Sequence, residues 1–141
     1  MTLEVSTPVG DFSVAVMPGS TTVTGVAAAT LPSPMNLSTL KRGVVATVEG
    51  EPVTVVRPRF GVCRRSRDLR ADGAGISLAS QYSRDRQYEI CRPDGVVVLR
   101  RRGRDLFIDA RATAPEVAIA LALDLSGAIA TSSLLNTLTT P

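Results

Sequence analysis

The segment from Thr113 to Leu135 places the tightest constraint on this chain. Between Val117 and Leu123 it carries no polar side chain, and Leu125, Ala128, Ile129, Leu134 and Leu135 continue the apolar character. A helix that is apolar on every side has to be enclosed, by protein or by lipid. Its start is marked by Thr113-Ala114-Pro115-Glu116, the spacing of a capping box. There the Thr113 hydroxyl accepts from the Glu116 amide, and the Glu116 carboxylate accepts from the amide of Thr113. Pro115 falls in the first turn, where its missing donor costs nothing. The pattern predicts one hydrophobic helix over 113–135.

From Ala114 to Leu135 such a helix would be about 33 Å long, enough to cross a bilayer. Asp124 near its middle argues against that, because a central aspartate costs roughly 2.5 to 3.5 kcal/mol on insertion scales. Ser126, Gly127, Thr131, Ser132 and Ser133 weaken a membrane span further. The expectation is therefore no transmembrane span, and a helix enclosed by the chain's own strands. Glu116 and Asp124 lie two turns apart on one stripe, a pair that an enzyme inside a barrel could use. The simpler expectation is that Glu116 caps the helix and Asp124 meets an arginine of the surrounding wall, since a buried charge needs a partner.

Everything before the helix reads as strands and turns. Residues 1–40 are poor in charge and rich in Thr, Val, Ala, Pro and Ser. Asp11 to Met17 alternates as a strand, Pro18-Gly19-Ser20 is a turn signal, and Thr21 to Leu31 is a second strand ended by Pro32-Ser33-Pro34. This segment is either a first hairpin or a leader. From Gly43, Val44–Val48 and Val53–Arg57 form a hairpin through Glu49-Gly50-Glu51-Pro52. Arg59 to Arg65 is a further short strand, and the stretch through Arg70 to Gly75 reads as a basic exposed loop. Ile76–Ser80, Gln87–Arg92, Val96–Arg101 and Leu106–Ala110 follow, the last three as a meander through Pro93-Asp94-Gly95 and Arg102-Gly103-Arg104. The fold class expected is mainly β, an antiparallel barrel or strongly curved sheet around one C-terminal helix. One domain over 1–141 is expected, with residues 41–111 as its basic meander.

Histidine is absent. That removes the usual general base, the Ser-His-Asp and Cys-His arrangements and the common zinc sets. Cys63 and Cys91 form no CxxC, and they read as two small buried residues of a reducing compartment. No cofactor and no metal are expected. Gly73-Ala74-Gly75 lacks the lysine and helix of a phosphate loop. The N-terminus lacks a basic start and continuous apolar core, so the expected location is the cytoplasm.

Charge is strongly segregated. All 16 basic residues lie between Lys41 and Arg111, against nine acids in the same stretch, and all but Lys41 are arginine. Arginine favours planar, bidentate acceptors such as phosphate. The densest cluster is Arg100, Arg101, Arg102 and Arg104, at a turn where side chains would fan outward. Arg64, Arg65, Arg67 and Arg70 form a second. Both are candidate anion sites if the fold brings them to one face. The competing reading is a solvated strand end in which the first cluster pairs with Asp105 and Asp94. Single-strand nucleic-acid binding would want aromatic platforms. Phe12, Phe60, Phe107, Tyr82 and Tyr88 are the only aromatics, and Phe60, Tyr88 and Phe107 are expected in the core.

The Tyr-Glu-Ile-x-x-Pro-Asp-Gly-Val hairpin at Tyr88 to Val96, the arginine-rich turn at Arg100 to Arg104 and the apolar C-terminal helix together resemble the Tubby C-terminal-like superfamily. The LURP-one-related and scramblase-like proteins are the nearest in texture. The resemblance spans Gly43 to Leu135. It implies a closed antiparallel barrel of about twelve strands around one central hydrophobic helix. It also implies binding of phosphoinositide headgroups by basic side chains, and peripheral association with membranes. The function expected is a non-enzymatic binding or scaffold module for an anionic phospholipid surface. The alternatives are a self-associating structural subunit of a phage or secretion particle, and a binder of nucleic-acid phosphates.

Overall fold

The computed structural model describes residues 1–32, 36–57, 69–84 and 87–129. They form eleven antiparallel strands in sequence order, a meander without a crossover. The strands are β1 (Thr2–Thr7), β2 (Gly10–Val16), β3 (Ser20–Gly25), β4 (Ala29–Pro32), β5 (Val44–Val48), β6 (Glu51–Val56), β7 (Arg70–Gly73), β8 (Ile76–Arg84), β9 (Gln87–Cys91), β10 (Val97–Arg102) and β11 (Asp105–Ile108). The sheet curls until it is nearly closed like a barrel, with β1 and β11 as its edges. The helices are α1 (Leu37–Arg42) and α2 (Ala114–Leu125), and Ala128 and Ile129 are helical again after a turn at 126–127.

Residues 1–32 therefore contribute four strands of the sheet. The single strand expected over Thr21–Leu31 is two, because the chain breaks after Gly25, which holds φ +141°. Two further strands and a helix were not legible locally. β1 was hidden in the charge-poor leader, β7 in what reads as a basic loop, and α1 is too short to show a period. The β5–β6 turn is tighter than expected, Val48 pairing with Glu51 across Glu49 and Gly50. Both turn residues have positive φ, at 51° and 79°, which is the backbone of a type I′ hairpin.

Strand alternation sets the core. Phe12 and Val14, Val53 and Val55, and Tyr88 and Ile90 are buried, while their neighbours along each strand are more exposed. That is the period of two expected where one face of a sheet is covered. The covering element is α2, which packs against β2, β3, β4, β5, β8 and β10. Its residues Val117 to Leu123 are at most 3% exposed. Full burial of each Leu or Ile contributes about 1.5 to 3 kcal/mol.

The continuous helix expected over 113–135 is corrected. α2 ends at Leu125, Ser126 caps it by donating its amide to Ala122 O at 3.0 Å, and Gly127 takes φ +81°. A glycine at positive φ just past a helix is a stop signal, which the apolar residues on either side outweighed in the sequence. Ala128 and Ile129 are buried beyond the break; residues 130–135 lie outside the described residues. Among the described residues no helix is long and apolar enough to cross a membrane.

Phe107 departs from the expected core. Leu106 and Ile108 take the face toward the core, and the alternation turns Phe107 outward on the edge strand, 55% exposed. Phe60, Cys63 and the expected strand Arg59–Arg65 lie outside the described residues. Cys91 is half-buried.

Candidate anion-binding end

The run Arg100-Arg101-Arg102 does not act as one cluster. All three residues belong to β10, where successive side chains point to opposite faces. Arg100 faces outward and forks onto Glu89 of β9, with Nε and Nη2 donating to Oε2 at 2.9 and 2.6 Å. Arg101 faces the helix. Its Nη2 donates to Asp124 Oδ2, its Nε donates to Oδ1 at 3.1 Å, and its Nη1 donates to the Arg104 carbonyl at 3.2 Å. The arginine expected opposite Asp124 is thus Arg101. The partners expected for this cluster, Asp94 and Asp105, are replaced by Glu89 and Asp124, because the antiparallel register puts Arg100 opposite Glu89 and Arg101 opposite Tyr88.

Asp124 also accepts from the Tyr88 hydroxyl. Its side chain is 1% exposed. Burial pushes its carboxyl up to about 7, while the Arg101 guanidinium favours the ionised form. Burial also lowers Arg101, with Asp105 opposing. At the other end of α2 the capping box is formed, Thr113 N donating to Glu116 Oε1 at 2.8 Å and Glu116 N donating to Thr113 Oγ1 at 3.3 Å. Arg92 forks onto the same carboxylate at 2.7 and 2.6 Å, which holds Glu116 below the usual carboxylate range.

Arg102 and Arg104 remain exposed. Arg102 precedes and Arg104 is the second residue of the two-residue turn between Arg102 and Asp105, in which Gly103 takes φ +62°, a conformation suited to the first position of a type II′ turn. A cleft of about 160 Å³ between β9 and β10 is lined by Gln87, Glu89, Arg100 and Arg102. Arg64, Arg65 and Arg67 lie outside the described residues.

The meander decides what stands beside this turn. In an all-antiparallel sheet of consecutive strands, connections alternate between the two ends, so every second connection shares one end. The β10–β11 turn therefore shares its end with the β2–β3 turn, with α1 between β4 and β5, and with the residues that leave β6 and begin β7. α1 is fixed there by Leu40, fully buried, whose carbonyl accepts from Arg57 N at 2.8 Å. An Asn36–Thr39 capping box closes its start. Lys41 and Arg42 fall in its last turn, exposed and favourably placed against the helix dipole. Arg70, the first residue of β7, is exposed as well. Lys41, Arg42, Arg70, Arg102 and Arg104 thus share one end, where Asp105 is the exposed acid among the described residues.

The opposite end carries the reverse charge. Asp11, Glu49, Glu51, Asp72 and Asp94 are exposed in or beside its connections. Among the described residues there, Arg92 pairs with Glu116 and Arg111 with Asp109. The hydrogen bonds that Arg111 donates from its side chain and its backbone amide bring Asp109 down to about 2. The charge segregation visible along the sequence becomes a separation along the strands.

Reading residues as neighbouring clusters found Arg102 and Arg104 but missed Lys41 and Arg42. The signal that finds them is the alternation of connections, which needs the strand count to be right. No protein-family model, curated protein or solved structure matches the chain.

Proposed function

We propose that this domain is a non-enzymatic binding module whose basic end engages an anionic phospholipid surface. The observation that supports it is the gathering of Lys41, Arg42, Arg70, Arg102 and Arg104 at one end, with Asp11, Glu49, Glu51, Asp72 and Asp94 at the other. Such a molecule is both attracted to and oriented by a negative surface. Forked guanidinium contacts to phosphate are the chemistry that arginine supplies there. The Tubby-like resemblance belongs to the same proposal: a barrel closed around its central hydrophobic helix, presenting basic side chains to headgroups.

Co-sedimentation with vesicles tests it. Each Lys or Arg near an anionic leaflet contributes about 1 kcal/mol. Replacing Lys41, Arg42, Arg102 and Arg104 with glutamine should weaken binding to acidic vesicles by about a thousandfold. Replacing Glu49 and Glu51 with glutamine should not weaken it, and raised salt should weaken the wild type. Wild-type protein that stays in the supernatant with acidic vesicles at low salt would end the proposal.

A second reading, a subunit that assembles with its own copies, has its own observation. One end is basic and the other acidic, so the two ends of neighbouring molecules are complementary.

A further inference from the structure

The basic end also presents apolar side chains. The β2–β3 connection lies at this end, and its tip, Met17-Pro18-Gly19, is uncharged. The Met17 amide donates to Ser20 O at 2.9 Å, which closes the turn. Met17 is nevertheless 54% exposed. Met1 stands beside it, because Val16 N donates to Met1 O at 2.8 Å, and Met1 is 73% exposed. In strand order around the nearly closed sheet, this apolar tip falls between the Arg102–Arg104 turn on one side and Lys41 and Arg42 on the other.

Exposed methionine among converging cations suits one kind of partner better than others. A nucleic acid would bring phosphate against the thioethers and gain nothing from them. An anionic bilayer offers both halves of the match, with phosphates at the level of the cations and an acyl boundary just below. Methionine is flexible enough to enter that boundary without a shaped pocket. The acidic end is repelled from the same surface, which leaves one orientation favoured.

We infer that the domain docks end-on to an anionic leaflet, inserting Met17 at the acyl boundary while the surrounding cations meet the phosphates. This inference rests on the anionic-surface reading above and adds to it the orientation and the inserted residue.

The absence of tryptophan from the chain makes the test direct. Three single variants report three surfaces: Met17→Trp the basic end, Val26→Trp the opposite end, and Phe107→Trp the outer wall. Their parent side chains are similarly exposed, at 54%, 54% and 55%. Each variant is first shown to melt as the wild type does, and is then mixed with vesicles of equal phosphatidylserine and phosphatidylcholine. The expected result is a blue shift for tryptophan at position 17, with quenching by brominated acyl chains, and neither effect at 26 or 107. Met17→Asp should also weaken binding about tenfold. Co-sedimentation with an unchanged spectrum at 17 would overturn end-on insertion and leave surface binding standing. A shift at 107 in place of 17 would replace it with docking by the wall. Failure of every variant and of the wild type to co-sediment would overturn both readings.

Discussion

Asp124 is a carboxylate 1% exposed at the end of an apolar helix, held by Arg101 and Tyr88. Its folded-state value of about 7 lies above the ordinary range for an aspartate. The folded state therefore binds the proton more tightly than the unfolded chain between about pH 4 and pH 7. Stability from this group is fully present below pH 4 and is lost as pH rises through about 7. Asp109, held down to about 2 by Arg111, acts in the opposite sense and at lower pH, its contribution being lost as pH falls from about 4 toward 2. Denaturant unfolding at pH 4.5 and pH 8 of the wild type and of Asp124→Asn checks this. The wild type should lose on the order of a few kcal/mol relative to the variant between the two values. A constant difference would mean that Asp124 is ionised throughout. Arg101→Gln at pH 8 should cost about 3 to 5 kcal/mol, because it strands a buried carboxylate. The need for an arginine opposite Asp124 was legible from the sequence, since a charge in an apolar helix has few other solutions. Which arginine was not, because that depends on the register of β9 and β10.

At the scale of elements, strands with strong alternation and two-residue turns were the readable ones. β2, β5 and β9 through β11 lie within a residue or two of where alternation predicts them. β7 escaped because its four residues, Arg70-Ala71-Asp72-Gly73, include only one buried side chain, and its identity as a strand comes from pairing with β6 and β8. The break that divides the Thr21–Leu31 run depends on Gly25, and here the structure gives a physical reason that composition lacks. A Cβ on Gly25 would lie 2.3 Å from the Asp11 carbonyl oxygen, at a φ of +141° that other residues rarely adopt. Gly50 also has positive φ but open space around it. Gly25→Ala should therefore cost about 1 to 3 kcal/mol or more, and clearly more than Gly50→Ala. The comparison is made by denaturant midpoint. Equal losses would show that the β2–β3 pairing relaxes around the added methyl group and that the close approach is not what fixes the break.

At the scale of the molecule, the property that no local reading supplies is the alternation of charge with connection number. Lys41 and Arg42, Arg70, and Arg102 and Arg104 belong to even-numbered connections, whereas Glu49, Asp72 and Asp94 lie in or beside odd-numbered ones. A miscount of one strand would have mixed the two sets. The resulting separation has a consequence apart from membranes, since the basic end of one copy is complementary to the acidic end of the next. Such a contact is head-to-tail, and a head-to-tail contact that does not close into a ring builds open chains. Because the charges involved are exposed, the attraction is screened within about 10 Å at 0.1 M salt. Sedimentation velocity at low salt should then show association that rises with concentration and is lost at roughly 0.5 M salt. Two reversed variants separate this from nonspecific stickiness. Lys41→Glu, Arg42→Glu, Arg102→Glu and Arg104→Glu together make both ends acidic, and Glu49→Lys, Glu51→Lys, Asp72→Lys and Asp94→Lys together make both basic. Each should be monomeric alone, and an equal mixture should associate again. Monomers in every combination at low salt would leave the two ends acting only through the orientation of the domain on a charged surface.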